Sequence, residues 1–300
     1  MMPDRTLTRR QALATLATGG ALAVLPLARG ITDRDSPQPM PTTSTPNQSS
    51  GLIHHSVCRW CYRRIPLETL AAAARDLGLE SIELLDPPEW ATVRRAGLTC
   101  AMANGTTTIG DGFNRRENHA KYVPSMIERI RACADAGLPN VICFSGNRAG
   151  LPDELGLENC AAGLKQIVGT AEAAGVTVCM ELLNSKVDHR DYQCDHTAWG
   201  VELVQRVGSE RFKLLYDIYH MQIMEGDVIR TIRDHHACIG HFHTGGVPER
   251  HEIDDAQELN YPAIMRAIKA TGFTGFVAQE FVPTRDPLTS LGEAIRLCSV

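Results

Sequence analysis

From Gly51 to the C-terminus the chain repeats one pattern eight times: a short apolar run followed by an amphipathic stretch. The runs are "LIHHSVC", "SIELLD", "TCAMAN", "NVICFSG", "VTVCMELL", "FKLLYDIY", "IGHFHT" and "GFVAQEF". Between them lie helical patterns such as "LETLAAAARDLG", "YVPSMIERIRACADAGL", "AAGLKQIVGTAEAAG", "AWGVELVQRVG" and "YPAIMRAIKATG". Gly78, Gly137, Gly175, Gly208 and Gly272 stand where such helices want a left-handed residue at their C-terminus. Strands alternating with helices of this length form parallel βαβ units. Eight units in about 250 residues predict an α/β fold, a (β/α)8 TIM barrel. A doubly wound open sheet is the competing topology. The regular repeat and the lack of a Gly-rich dinucleotide fingerprint weigh against it.

Barrel strands alternate between the interior and the helix layer, which makes polar residues in the last four runs informative. In "VTVCMELLNS" a carboxylate, Glu181, interrupts apolar residues. A buried charge persists only if it is paired, hydrogen-bonded or bound to a metal. With Glu181 inward, Cys179 and Thr177 share its face, while Val176, Val178 and Met180 meet the helices. Asp217 inward turns Leu214 and Tyr216 outward. His243 falls on the inner face with His241 and Ile239, leaving Phe242 outside, and Glu280 falls there with Ala278 and Phe276. Each of the four lies at the C-terminal end of its strand, where barrel enzymes place their chemistry. Three carboxylates and one imidazole around a point suit a divalent metal, Mn2+ or Mg2+, with Zn2+ also open. Taken singly, each is more simply a solvated loop residue or a helix cap. The matching height in four successive runs singles them out.

Charge narrows the class of partner. The formal net charge is −5, and no long run of Lys and Arg stands out, so there is no footprint for nucleic acid. A small-molecule substrate is the plain expectation, and an oligomer is open. The ten cysteines are spread along the chain, several within apolar runs (Cys133, Cys143, Cys179), where buried free Cys is common. "CRWC", Cys58 to Cys61, has redox spacing, but two strand-end residues are the favoured interpretation over a disulfide or a redox pair.

The N-terminus differs from the rest. Residues 1–30 carry Arg5, Arg9 and Arg10 ahead of a soft Ala/Leu/Gly run that is short for a membrane span. "LTRRQAL" looks like a twin-arginine export signal, which implies the twin-arginine export machinery as a partner and a periplasmic location, membrane-anchored if the segment stays uncut. A frayed basic tail before an amphipathic helix is the alternative. Residues 31–50, rich in Pro, Ser and Thr, read as a disordered linker. Residues 51–300 form the catalytic domain.

The segments "MELLNSKVD", "YDIYHMQIMEGD", "HFHTGGVPERHE", "ELNYPAI" and "GFVAQEF" resemble the hydroxypyruvate isomerase family. That family sits among the xylose-isomerase-like barrels, with ketose 3-epimerases and inosose dehydratases. The resemblance runs from about His54 to the end. It implies metal ligands at Glu181, Asp217, His243 and Glu280, and substrate-oxygen contacts at His220 and Arg250. Asn184, in "NSKVD", joins the substrate-binding candidates, and Trp60 is a candidate apolar wall. His243 stands where the isomerases proper often have Gln, which leans towards the epimerases. Those epimerases carry a second Glu where this chain has Val187, which leans back.

The constellation and the resemblance together imply an isomerase acting on a carbohydrate or keto acid. Glu181 and Glu280 exchange a proton with adjacent carbons through an enediolate that the metal stabilises. A ketose 3-epimerase or an inosose dehydratase on the same site is the alternative. A metal-dependent endonuclease and a non-catalytic carbohydrate-binding barrel stand further off.

Overall fold

The computed structural model describes residues 53–300. The export segment at 1–30 and the linker at 31–50 lie outside the described residues. Seven parallel strands form one sheet: β1 (His54–Cys58), β2 (Ser81–Glu83), β3 (Asn140–Cys143), β4 (Thr177–Glu181), β5 (Phe212–Asp217), β6 (Ile239–Thr244) and β7 (Phe276–Gln279). Their order is β2-β1-β7-β6-β5-β4-β3.

The third apolar run, residues 99–104, is expected to be a full strand and is not one. It joins β2 to β3 through isolated bridges, Ser81 to Thr99, Leu85 to Ala103 and Ala103 to Val141. Its middle is engaged by side chains instead. Ala101 N donates to Ser81 Oγ at 2.8 Å, and Ala101 O accepts from Asn140 Nδ2 at 2.8 Å. A backbone group bonded to a side chain is lost to the ladder. The bridges on either side still close the sheet into a barrel. Gly105, just beyond, is required by contact, since a Cβ there would lie 1.9 Å from Ile142 O.

The helices wrap the outside, and all five expected C-terminal glycines take positive φ. The stretch after Asp153 breaks in two, Asp153–Leu164 and Val168–Ala174. Val178, Met180, Leu214, Tyr216, Phe242 and Val277 join the layer between sheet and helices, while Met102, Ile142, Cys179 and Leu215 fill the interior. The alternation read from the sequence therefore holds, with one exception. Ile239 packs with the outer layer, not the interior. In the β5–β6 pairing Leu214 faces Ile239 but Leu215 faces His241, so Gly240 is skipped. Such an irregularity reverses the alternation on one side of it.

All ten cysteines are free thiols. Cys58 ends β1 and Cys61 lies in the short 3-10 turn Arg59–Tyr62 that follows.

Candidate active site

Four staves deliver their polar side chains to one point. Glu181 ends β4, Asp217 ends β5, His243 lies near the end of β6, and Glu280 directly follows β7. One donor atom from each lies within 4.8 Å of the others, and all four residues are buried. His243 Nδ1 is 2.6 Å from Glu280 Oε2, 3.2 Å from Glu181 Oε1 and 4.0 Å from Asp217 Oδ2.

Asp217 serves two purposes. Its Oδ1 accepts from His220 N at 3.1 Å and caps the helix Ile218–Met224. Its Oδ2 is left for the centre. The same cap fixes His220 in the first turn, so the Asp-x-x-His spacing is a local consequence of helix initiation.

The charges of these groups bear on what the site can hold. Two ionised carboxylates 4.8 Å apart repel by about 3.5 kcal/mol at an effective dielectric of about 20. Burial pushes the Glu181 carboxyl up to about 7, with repulsion from Glu280 and Asp217 adding to it and the His243 bond opposing. Burial also raises Asp217, against the pull of Arg250. Glu280 goes the other way: burial would raise it, but His243 and Arg250 hold it well below the carboxylate range. Burial would lower His243, yet the acceptors around its ring, Cys58 and Glu280 foremost, hold it well above the usual histidine value. Three hard oxygen donors and one imidazole nitrogen at this spacing fit a single divalent cation.

Arg250 supplies positive charge of its own. It lies between β6 and β7 with φ of 57°, a left-handed conformation uncommon outside glycine. Its Nη2 donates to Asp217 Oδ2 at 2.6 Å and also to Glu280 Oε2. The guanidinium lies over the Tyr219 ring, 4.7 Å from its centroid. A surface salt bridge with Glu249 or Glu252 is the bland alternative, and it does not form. Glu249 faces His251, while Glu252 accepts from Thr284 and Ser290. Arg250 therefore engages oxygens that a divalent cation would also use.

Of the other candidates, Trp60 and His220 face the cavity with Arg250. Trp60 is more than an apolar wall, because its Nε1 donates to Glu280 Oε1 at 2.5 Å. Asn184 is fully buried, and its bonds are all made within the fold. Its Oδ1 accepts from Val187 N and Asp188 N at 3.0 and 2.9 Å, and its Nδ2 donates to Asp188 Oδ2 and His220 Nδ1 at 2.6 and 2.7 Å. Asn184 thus holds His220 in place. His54 and His55 begin β1, away from the rim, and bond Glu80 and Ser299.

The cavity over the centre measures about 420 Å3. Trp60, Leu84, Ile142, Phe144 and Leu183 give it apolar walls, and Asn104, Asp188 and His189 give it a polar edge. Val187 points away and is exposed, so the neighbouring Asp188 supplies the carboxylate on that side. A cleft of about 550 Å3 elsewhere is roomier, but its carboxylates Asp254 and Glu293 are already paired with Arg285.

One residue at the centre escaped the sequence reading. Glu83 is wholly buried in the barrel, with Oε1 2.9 Å from His243 Nε2 and 2.7 Å from His241 Nε2. Its signal was present in "SIELLD", a carboxylate between apolar residues just as in the fifth run.

Residues 71–298 match the family model described as "Xylose isomerase-like TIM barrel". The chain belongs to this family. Among relatives of this xylose isomerase-like chain is the 2-oxo-tetronate isomerase of Cupriavidus necator, 33% identical over 241 residues, covering 75% of this chain and 90% of that protein. A human protein named as a candidate hydroxypyruvate isomerase is 27% identical over 241 residues, covering 77% of this chain and 80% of its own. Among solved structures, one titled AP endonuclease, family 2, from Brucella melitensis superposes with a TM-score of 0.72 at 21% identity, covering 81% of this chain and 98% of that one. Likeness at that identity speaks for the fold alone.

Proposed function

We propose that the protein is a divalent-metal-dependent isomerase of a short hydroxy-keto acid, of the hydroxypyruvate or 2-oxo-tetronate kind. The observation that carries this reading is the placement of Glu181 and Glu280, from different staves, in one buried donor set beside Arg250. The names of the relatives agree with it.

A carbon-bound hydrogen next to a carbonyl is a weak acid, and its removal leaves an enediolate. A divalent cation held by Glu181, Asp217, His243 and Glu280 would supply positive charge to the substrate oxygens. One glutamate takes the proton from the hydroxyl-bearing carbon as that C–H pair becomes part of a C=C bond. The other returns a proton to the former carbonyl carbon, while the hydroxyl proton passes to the former carbonyl oxygen, and the two glutamates exchange roles in the reverse direction.

His220 is held as a neutral ring between two donors. Asn184 Oδ1 is taken by two backbone N–H groups, so its NH2 faces His220 Nδ1, while Arg250 Nη1, which can only donate, faces Nε2 at 3.0 Å. Burial and then Arg250 hold His220 well below the usual histidine value, which keeps the ring uncharged. A substrate oxygen that drew the Arg250 N–H away from Nε2 would free that nitrogen to carry the ring proton and donate beside the guanidinium.

The guanidinium favours an acidic substrate, because it can bind a planar carboxylate with two N–H groups. Replacing Arg250 with Met is expected to raise KM for hydroxypyruvate or 2-oxo-tetronate at least about tenfold, the loss of a charge-assisted bond of about 1.5–3 kcal/mol. Neutral ketohexoses and inososes should lose far less. The test is a panel of these substrates with Mn2+-loaded protein in D2O, read by proton NMR for product and for hydrogen exchange. Turnover confined to the neutral sugars would replace this reading with a ketose 3-epimerase, for which Asp188 would stand in for the missing glutamate.

A further inference from the structure

His243 has two ring nitrogens, and the barrel treats them differently. Nδ1 faces the carboxylates of Glu181 and Glu280 at 3.2 and 2.6 Å. Nε2 faces away from them, towards Glu83 Oε1 at 2.9 Å. A neutral imidazole that gives Nδ1 to a cation carries its proton on Nε2, and in a dry interior that N–H needs an acceptor. Cys58 Sγ is also near, 3.7 Å from Nε2, but sulfur is a weak acceptor. Glu83 is anchored in turn: His241 Nε2 lies 2.7 Å from the same oxygen, and both residues are wholly buried. Neither Glu83 Oε2 nor His241 Nδ1 has a hydrogen-bond partner among the described residues.

We infer that Glu83 is a positioning residue for the cation centre, holding the Nε2–H of His243 so that Nδ1 alone is presented to the ion, with His241 steadying Glu83. A carboxylate behind a ligating histidine fixes its ring plane and tautomer and raises its basicity, and losing such a partner costs about 10- to 100-fold in metal affinity. Glu83 thus extends the site by one shell below its four ligands, into the barrel interior.

The inference rests on the cation centre proposed above, and its test separates the two. In Glu83→Gln the side chain keeps its length and its amide oxygen can still accept from both histidines, but it loses the negative charge that raises the basicity of His243, and a buried NH2 without an acceptor replaces Oε2. Mn2+ affinity, followed by calorimetry, should fall about 10- to 100-fold, while the circular dichroism spectrum stays unchanged. A wild-type protein that binds no Mn2+ overturns the centre itself. Equal affinity in wild type and Glu83→Gln overturns only the role of Glu83. Should the variant fail to fold, the wild-type chain still decides. Long-range 1H–15N NMR of the Zn2+-loaded protein should show the His243 proton on Nε2 with Nδ1 bound to the ion. The opposite tautomer, with Nε2 on the ion, overturns the proposal.

Discussion

Replacing Glu181 or Glu280 with Gln is expected to lower kcat by about 100- to 10,000-fold at saturating Mn2+, the usual contribution of a positioned acid or base. In the metal-free protein Glu181→Gln should leave the melting temperature unchanged or raise it, because it removes one of three carboxylates whose donor atoms crowd within 4.8 Å. Glu280→Gln should lower it, because the ionised Glu280 pairs with Arg250 and His243. Loss of activity without loss of stability marks a group kept for chemistry. Steady-state kinetics and a thermal melt on the same preparations check both halves. If Glu181→Gln lost activity and stability together, that would point to a scaffold role for Glu181. In Asp217→Asn both readouts should fall, because Asn can still cap the helix Ile218–Met224 but leaves the buried Arg250 without this carboxylate partner.

Removing the ion should be as damaging as removing a glutamate. Dialysis against a chelator is expected to abolish turnover, and added Mn2+ to restore it. The affinity should also depend on pH in a stated direction. Below about pH 7 Glu181 carries a proton that the ion must displace, and His243, held well above the usual histidine value, has one to give up as well. Binding therefore releases protons and tightens as pH rises from 6 to 8, by about tenfold per pH unit for each proton displaced. Calorimetry in buffers of different ionisation enthalpy measures that release. Affinity that is flat with pH would mean that neither group is a ligand.

Parity along single strands made much of this site legible in the sequence. Glu181, Asp217, His243 and Glu280 each end an apolar run, and the alternation behind them places Cys179 and Leu215 inside, Val178 and Tyr216 outside. What parity lacks is knowledge of the neighbouring strand. Ile239 was misplaced because Gly240 is skipped in a pairing that "IGHFHT" alone does not reveal. The third run is no regular strand because Ser81 and Asn140, distant in sequence, occupy its backbone. Asn184 resembled a substrate contact, yet the turn that follows it uses both ends of its amide. Glu83 is not singled out by "SIELLD" alone, because its partners His241 and His243 come some 160 residues later. Arg250 is the reverse case. The resemblance names it as a substrate contact, and only the closed barrel shows that it also meets Asp217 and Glu280.

The proposed activity depends on one ion among four side chains. Anomalous diffraction from crystals grown with Mn2+ measures this directly. The expected result is a single peak per chain within about 2.0–2.3 Å of an oxygen from each of Glu181, Asp217 and Glu280 and of His243 Nδ1, with the Arg250 guanidinium drawn off the carboxylates it otherwise contacts. A peak elsewhere, or no peak with Arg250 still bonded to Asp217 and Glu280, would contradict it.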